Sequence, residues 1–188
     1  FLYVYGILVT FFGLITFVGS FMFYKDPYLE SQKVPASKKK KFFVSCLAAV
    51  RNEEKIIEQC VESLINQTYE KQEIIIVNDA STDGTAAILD RYAKKGLITV
   101  IHLEENVGKK KALAQGMLVA KGELFAFTDS DSVLAPDAIE KCVDSFNSDP
   151  NIGALSGHCR ALNGDQNLLT KVQDSWYEGQ FSIRKAFE

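Results

Sequence analysis

The chain has 188 residues, 47% of them hydrophobic, and its 21 basic and 24 acidic side chains give a net charge of −3. This length is enough for one domain with its own core, and the acidic balance argues against a nucleic-acid partner, because nucleic-acid-binding domains are normally basic. The four cysteines are widely spaced and include no Cys-x-x-Cys pair, so they indicate neither a zinc site nor a disulfide framework.

The first 24 residues contain no charged side chain. Because about 20 apolar residues are needed for a helix to cross a bilayer, this run predicts one transmembrane helix over residues 1–24. Residues 25–41 contain two prolines and four consecutive lysines, and we interpret them as a basic linker. Positive residues beside a membrane segment stay on the cytosolic side. We therefore expect a protein of the cell membrane whose remaining domain, residues 42–188, faces the cytosol.

After residue 41, apolar runs typical of buried strands alternate with segments of helical spacing. The expected strands cover residues 42–50, 73–79, 97–103, 124–129 and 152–162. The expected helices cover residues 52–67, 84–95, 109–120, 136–147 and 167–188. This alternation predicts an α/β fold with a mostly parallel sheet and right-handed crossovers.

Polar segments follow the first four predicted strands, and they read VRNEE, NDASTDG, ENVGKKK and TDSDS. In a parallel sheet these segments meet at one edge, where ligands bind. Asp129 and Asp131 point the same way in an extended segment, and two such carboxylates repel each other unless a cation or hydrogen-bond donors lie nearby. Oxygen ligands of this kind suit Mg²⁺ or Mn²⁺. A polar strand end that leads into a helix capped by Ser132 or Asp137 is an alternative interpretation.

Other nucleotide-binding motifs are absent from the expected places. No GxGxxG follows the first strand, NVGKKKA lacks the leading glycine and the Ser or Thr of a P-loop, and DSDSVL lacks the turn glycine of an EF-hand. One alternative from another class remains. FAFTDSDSVL resembles the first motif of haloacid-dehalogenase-type phosphatases, in which Asp129 would be the nucleophile and Asp131 the acid/base. That motif usually opens its fold, whereas here it lies on the fourth strand.

Six blocks of the sequence resemble, in their order, the family 2 glycosyltransferases of the GT-A fold. They are VSCLAAVRNEE, SLINQTYEKQEIIIVNDASTDGT, NVGKKKALAQGMLVAKGE, FTDSDSVLAPDAIE, SGHCRALN and NLLTKVQDSWYEGQFSIRKAFE. The resemblance covers essentially all of residues 42–188. It is closest to processive membrane enzymes such as hyaluronan synthase, chitin synthase and poly-N-acetylglucosamine synthase. The fold it implies is a Rossmann-like GT-A domain that binds a nucleotide diphospho-sugar.

The resemblance also implies roles for single residues. Ala49, Asn52 and Glu53 would hold the nucleotide. Asp79 is similar to the carboxylate that recognises the uracil ring, by accepting its imide N–H. Lys109 would face the diphosphate, and lysines at the positive end of a helix are locally unfavourable without an anion.

In the same way, Asp129 and Asp131 are similar to the Asp-x-Asp pair that binds the ribose and a Mg²⁺ or Mn²⁺ ion. A cation is needed because the leaving group is a nucleoside diphosphate, whose developing charge must be neutralised. The implied function is an inverting, metal-dependent transferase that binds a UDP-sugar at the cytosolic face of a membrane for polysaccharide synthesis. Its acceptor would be a growing polysaccharide or a lipid.

The family also uses a catalytic base, usually an Asp in a later ED or GDD motif, and a QxxRW-type acceptor motif. Neither occurs before Glu188, so we expect both beyond it and interpret the chain as the donor-binding part of a longer protein. Two further alternatives stay open. One is a family 2 transferase that moves a single sugar to a polyprenyl phosphate, and the other is a non-catalytic, membrane-tethered nucleotide-binding domain.

Three aromatic and histidine positions are expected to be structural. His102 and His158 carry no recognisable catalytic pattern. Trp176 lies on an apolar helical stripe with Leu169, Val172, Ile183 and Phe187. We expect the first half of this stripe to pack on the sheet.

Overall fold

The computed structural model describes residues 2–23 and 27–184 of the chain. The helices are α1 (Leu2–Phe23), α2 (Pro27–Ser31), α3 (Ile57–Ile65), α4 (Thr85–Lys94), α5 (Lys109–Val119), α6 (Ala138–Phe146) and α7 (Leu168–Arg184), with a short 3-10 helix at Ala36–Lys38. The strands are β1 (Val44–Val50), β2 (Gln72–Asn78), β3 (Thr99–His102) and β4 (Leu124–Asp129).

The four strands form one parallel sheet in the order β3-β2-β1-β4. β1 lies between β2 and β4 and is buried along its whole length, which agrees with its continuous apolar sequence. The register places Ala49 opposite Val77 on one side and opposite Asp129 on the other. The α/β fold with a parallel sheet is therefore confirmed, and the carboxyl ends of the strands meet at one edge.

Helices cover both faces of the sheet. Alternate residues of β1 pack with α3, α4 and α6 in one large core, which includes Cys46, Leu64 and Leu89. The other face carries α5, which contacts the sheet at Gly116. A Cβ atom at Gly116 would lie 2.9 Å from the Leu47 side chain and 3.1 Å from that of Val77. A small residue at this position therefore sets how closely α5 approaches the sheet.

Within the described residues, one face of β4 is largely uncovered. Its side chains alternate between half-buried and exposed, and Phe125 and Phe127 are 42% and 54% exposed. These two rings lie on the face that carries α5, but α5 packs on β1 and β2 rather than on β4.

The basic segment at residues 38–41 is attached to the domain. Lys39 forms an ion pair with Asp144 of α6 at 2.9 Å, and Lys40 pairs with Glu123. The side chain of Asn147 accepts the N–H of Lys40 and donates to its carbonyl oxygen. These contacts fix the entry into β1, and they pair two of the four consecutive lysines of the predicted basic linker.

Three predictions about elements need correction. Leu2–Phe23 is helical, but none of the helices in the described part of the chain is long and apolar enough to cross a membrane. The predicted transmembrane span is therefore not supported, and only its helical character is. The prediction rested on an uncharged run of about 20 apolar residues, the length that a spanning helix needs.

The second correction concerns the predicted fifth strand. Residues 152–162 form no strand, and within the described residues they have no place in the sheet. A strand needs a partner for its N–H and C=O groups, and none pairs with this segment, whose side chains are mostly exposed.

The helix at the end of the chain also differs from expectation. α7 starts where Asn167 and Thr170 cap each other, with Thr170 N–H donating to Asn167 Oδ1 and Asn167 N–H donating to Thr170 Oγ1, both at 3.0 Å. Leu169, Val172 and Trp176 are 58% to 77% exposed, so the prediction that this half of the helix packs on the sheet is wrong. The side chain of Ile183 and the whole of Phe187 lie outside what the structure describes.

Candidate functional site

A cleft of about 360 Å³ lies at the carboxyl ends of β1, β2 and β4. Its lining is Ala49, Val50, Arg51, Glu53, Asp79, Asn106, Gly108, Lys109, Asp129, Ser130 and Asp131. Of the seven residues predicted to form the site, six are in this lining and Asn52 is not. The other five lining residues were missed, although each lies within one of the polar segments VRNEE, ENVGKKK and TDSDS; they are Val50, Arg51, Asn106, Gly108 and Ser130.

Asp79 is buried at the floor of the cleft and holds the loop that precedes α5. It is 3% exposed, and its two carboxylate oxygens accept the backbone N–H groups of Val107 and Gly108 at 2.8 and 2.9 Å. Gly108 has φ +84°, a conformation that favours glycine. Asp79 thus acts first on the protein's own loop, and its contact with a uracil ring stays a prediction.

This loop sets the position of Lys109, the first residue of α5. The Lys109 ammonium pairs with Oδ1 of Asp129, and the two side chains are 54% and 61% exposed. The pair places a negative group near the positive end of α5, which offsets the unfavourable position of the lysine there. The expected partner of Lys109 was a diphosphate, and in the structure its partner is Asp129.

Asp129 is the last residue of β4, Asp131 follows two residues later, and α3 contacts this end of the strand. The Cys60 thiol of α3 lies below it and donates to the carbonyl oxygen of Asp129 at 3.5 Å. Burial, followed by the negative charges of Asp131 and Asp129, raises the pKa of the Cys60 thiol to about 11. Both aspartate side chains are exposed at the cleft, so they are accessible to a ligand.

Asn52 joins two loops instead of lining the cleft. Its backbone is in the left-handed region, with φ 55°, and its N–H donates to Ser81 Oγ at 3.0 Å. Its side-chain oxygen accepts the N–H of Thr82 at 2.8 Å. The amide oxygen of Asn52 is thus bound by the loop after β2. The role of Asn52 in holding a nucleotide stays a prediction.

Glu54 and Asp83 strengthen the same connection. Glu54 Oε2 accepts the N–H of Gly84 at 2.8 Å, and the N–H of Glu54 donates to Asp83 Oδ2 at 3.2 Å. Asp83 also accepts the N–H of Thr85 at the start of α4, and its hydrogen bonds to Thr85 hold the pKa of the carboxyl below its usual value. We call residues 52–54 with 81–85 the loop clasp. It orders the segment that carries Glu53 into the cleft.

His102 supports the loop clasp indirectly, through Asn78. Its Nδ1 lies 2.9 Å from the side-chain nitrogen of Asn78, and its Nε2 lies 3.1 Å from Asp90. The side-chain oxygen of Asn78 in turn accepts the N–H of Ser81 at 3.1 Å. These contacts agree with the structural role expected for His102.

The carboxylates in the cleft fit a metal ion that arrives with its ligand. Within the described residues, no group of three or more His, Cys, Asp or Glu side chains could hold a metal alone. Mg²⁺ is commonly held by one or two carboxylates together with substrate phosphates. Asp129 and Asp131 offer such a set, whereas a resident structural ion would need further protein ligands.

Comparison with known proteins identifies the family. The family model described as glycosyl transferase family 2 matches residues 45–187. The chain belongs to glycosyltransferase family 2. The match includes all of the sheet except Val44 and every residue of the cleft, and it decides against the phosphatase alternative.

Curated relatives of this family 2 chain include poly-beta-1,6-N-acetyl-D-glucosamine synthases. The enzyme of Staphylococcus epidermidis is 30% identical over 177 residues, which are 94% of this chain and 43% of that protein. The enzyme of Staphylococcus aureus strain COL is 34% identical over 134 residues, 71% of this chain and 32% of that protein. The chain thus spans less than half the length of these relatives.

Two solved structures support the GT-A-like fold. The mannosyltransferase PcManGT from Pyrobaculum calidifontis, in complex with GDP-Man and Mn²⁺, has a TM-score of 0.59 and 25% identity, with 78% of this chain and 44% of that chain covered. TarS 1–349 of S. aureus, in complex with UDP-GlcNAc, has a TM-score of 0.50 and 30% identity, with 53% and 29% covered.

Proposed function

We propose that the chain is the donor-binding part of a glycosyltransferase that uses a UDP-sugar and a divalent cation. The observation that carries this proposal is the meeting of Asp79, Lys109, Asp129 and Asp131 in one cleft at the carboxyl edge of the sheet. Carboxylates for a cation and an ammonium for a phosphate lie side by side there. The solved neighbours were bound to GDP-Man and UDP-GlcNAc, and the curated relatives are N-acetylglucosamine polymer synthases. UDP-N-acetylglucosamine is therefore the donor we favour.

Six residues of the cleft have a task in this proposal. Asp129 and Asp131 would hold Mg²⁺ or Mn²⁺ together with the diphosphate, and Lys109 would donate to a phosphate oxygen. Asp79 would keep the loop at residues 106–108 closed around the nucleotide and accept the uracil imide N–H. When bound, the cation would neutralise the charge that develops on the departing nucleoside diphosphate. Ala49 and Glu53 would contact the nucleoside.

The product and the acceptor are proposed from the relatives. A β-linked polysaccharide agrees with the names of the curated synthases. Inversion at the sugar carbon is part of the proposal. Transfer of one sugar to a polyprenyl phosphate is the second candidate within the same family. We assign no catalytic base among the described residues. The division into residues 1–24, 25–41 and 42–188 is kept as a proposal for the domain boundaries.

A location at the cytosolic face of the cell membrane is proposed separately. Its support is the uncharged helix α1, on which Tyr3, Ile7 and Phe11 are exposed. Flotation on a density gradient with phospholipid vesicles tests whether the protein binds a membrane. We expect the protein to rise with the vesicles. Protein that stays in the dense fraction without detergent would contradict this location.

Metal-dependent binding of UDP tests the proposed function directly. We expect calorimetry on the protein, purified in detergent, to show UDP binding with Mg²⁺ or Mn²⁺ and little binding after chelation. Asp131→Ala should weaken UDP binding at least about tenfold, because it removes one of two metal carboxylates. Asp165→Ala, an exposed aspartate outside the cleft, is the matched control and should change nothing.

Two outcomes of that titration would contradict the proposal. One is equal UDP affinity with and without chelator. The other is equal loss of affinity in the Asp131 and Asp165 variants. GDP, titrated in parallel, measures whether the cleft prefers uracil over guanine.

A further inference from the structure

We propose that Lys109 is a placeholder cation, which occupies Asp129 until a metal and a nucleotide arrive together. This inference rests on the proposed function and adds to it a coupling between metal binding and nucleotide binding. The observation behind it is the ion pair between the Lys109 ammonium and Asp129 Oδ1, inside the cleft that also contains Asp131. The same carboxylate oxygen is one that a divalent cation would need.

The backbone of Lys109 is held in place, whereas its ammonium group is exposed and can change partners. Asp79 anchors the two residues before it through the N–H groups of Val107 and Gly108. The side chains of Lys109 and Asp129 are both more than half exposed, so their pairing is of the weak, surface kind that can be exchanged. The ammonium can therefore leave Asp129 without any movement of α5.

A nucleoside diphosphate gives the ammonium another partner. The several negative charges of a diphosphate would draw Lys109 away from Asp129 and free Oδ1 for the cation. The cation in turn would be held by Asp129, Asp131 and the same phosphates. Without nucleotide, the metal would meet only two carboxylates, one of them already paired with an ammonium that repels the ion. Metal and nucleotide should therefore bind with positive coupling, each raising the affinity of the other.

The chain offers a matched control. Lys110 is the next residue of α5, is exposed and has the same charge, but it does not line the cleft and is not paired with Asp129. A general effect of positive charge near the cleft would appear equally in Lys109 and Lys110 variants. A placeholder role would appear only in the former.

The experiment measures Mn²⁺ binding without nucleotide, by the loss of the free-ion electron paramagnetic resonance signal, and then UDP binding at saturating Mn²⁺. Lys109→Met should bind Mn²⁺ alone about three- to tenfold more tightly, because a competing charge is gone. The same variant should bind UDP more weakly, because a phosphate partner is gone. Lys110→Met should change both affinities less than about twofold. In an Asp129→Asn background, Lys109→Met should no longer tighten Mn²⁺ binding.

The outcomes separate this inference from the proposed function. If UDP binding by the unaltered protein depends on metal, but Lys109→Met leaves the affinity for Mn²⁺ alone unchanged or lower, the placeholder role is overturned and the donor site stands. Equal tightening in the Lys110 variant overturns it as well. If the unaltered protein does not bind UDP at saturating Mn²⁺, the proposed function fails, and the coupling fails with it. Circular dichroism melts of every variant show whether it is folded.

Discussion

Asp79 holds the loop before α5 and is proposed to bind the uracil ring, and one substitution can separate these two roles. Both of its oxygens accept backbone N–H groups of the loop at residues 107–108. In Asp79→Asn an amide NH₂ would face one of these donors, which costs about 1–3 kcal/mol of loop stability. We expect UDP binding to weaken at least about fivefold, and hydrogen exchange at Val107 and Gly108 to accelerate.

The exchange measurement distinguishes the two tasks of Asp79. If the carboxylate served only the uracil ring, the amides of Val107 and Gly108 would keep their protection in the variant while UDP binding fell. Asp165→Asn, an exposed position outside the cleft, controls for the loss of one negative charge.

The cysteines provide a second prediction, which concerns pH. Burial, with a smaller contribution from Cys142, raises the pKa of Cys46 to about 12, and burial raises that of Cys60 to about 11. The thiolate is the reactive form, so a raised pKa lowers reactivity at any given pH below it. At pH 8 we expect a thiol reagent to label the exposed Cys159 first and to leave Cys46 and Cys60 unlabelled in the native protein.

Peptide mapping by mass spectrometry reads out this order. All four cysteines should react in denaturant, which confirms that the reagent is effective. Raising the pH from 8 to 9.5 should leave Cys60 unlabelled, because the pKa of its thiol lies above that range. Rapid native labelling of Cys60 would show that α3 does not stay packed below the Asp129 strand end.

At the scale of elements, the turn into β4 has little free space at Gly122. A Cβ atom at Gly122 would lie 2.5 Å from the backbone nitrogen of Ser45 and 2.8 Å from the carbonyl oxygen of Leu124. The Gly122 N–H also donates to Ser45 Oγ at 2.8 Å. Backbone atoms cannot move aside as side-chain ends can. Gly122→Ala should therefore lower the free energy of unfolding by about 1–3 kcal/mol or more.

Gly153→Ala is the matched control for this prediction, since no atom lies within 4 Å of the position of its Cβ. Its effect on urea unfolding should stay within about 0.5 kcal/mol. Equal unfolding midpoints for the two variants would mean that β4 does not approach β1 as closely as described.

The sequence predicts strands better than it predicts what lies outside the sheet. β4 has the predicted bounds, and β1, β2 and α5 differ from theirs by one or two residues, because continuous apolar runs and helical spacing are local signals. The absent strand at residues 152–162 and the exposed stripe of α7 depend on partners, which no local pattern specifies. Six of seven predicted site residues reach the cleft for a similar reason, since parallel topology brings strand ends together.

The loop clasp and the Lys109–Asp129 pair could not be predicted in this way. Asn52 and Thr82 are 30 residues apart, and Lys109 and Asp129 are 20 apart. Their contacts depend on how neighbouring loops are positioned relative to each other at the edge of the sheet. Charge and motif suggested ligands for these side chains, whereas the protein itself supplies their first partners.

Over the whole molecule, the segment before the sheet is attached to the domain that contains the sheet. α2 packs against α6, and Ser31 at its end is fully buried. Lys39 and Asp144 are each only 21% exposed in their ion pair, and Asn147 makes two hydrogen bonds to the backbone of Lys40. Residues 27–41 are therefore attached along α6 rather than free between two parts of the chain.

Two truncations test this attachment. A chain that begins at Pro27 keeps α2, both ion pairs and the Asn147 contacts, and its urea unfolding midpoint should equal that of the longer chain. A chain that begins at Phe42 loses all of them. We expect its free energy of unfolding to fall by about 2–4 kcal/mol, since each lost hydrogen bond or partly buried ion pair contributes about 1 kcal/mol. Asp144→Asn in the chain that begins at Pro27 should cause a smaller part of the same loss, because it breaks only the pair with Lys39. Equal midpoints for the two truncations would show that residues 27–41 contribute nothing to the stability of the domain.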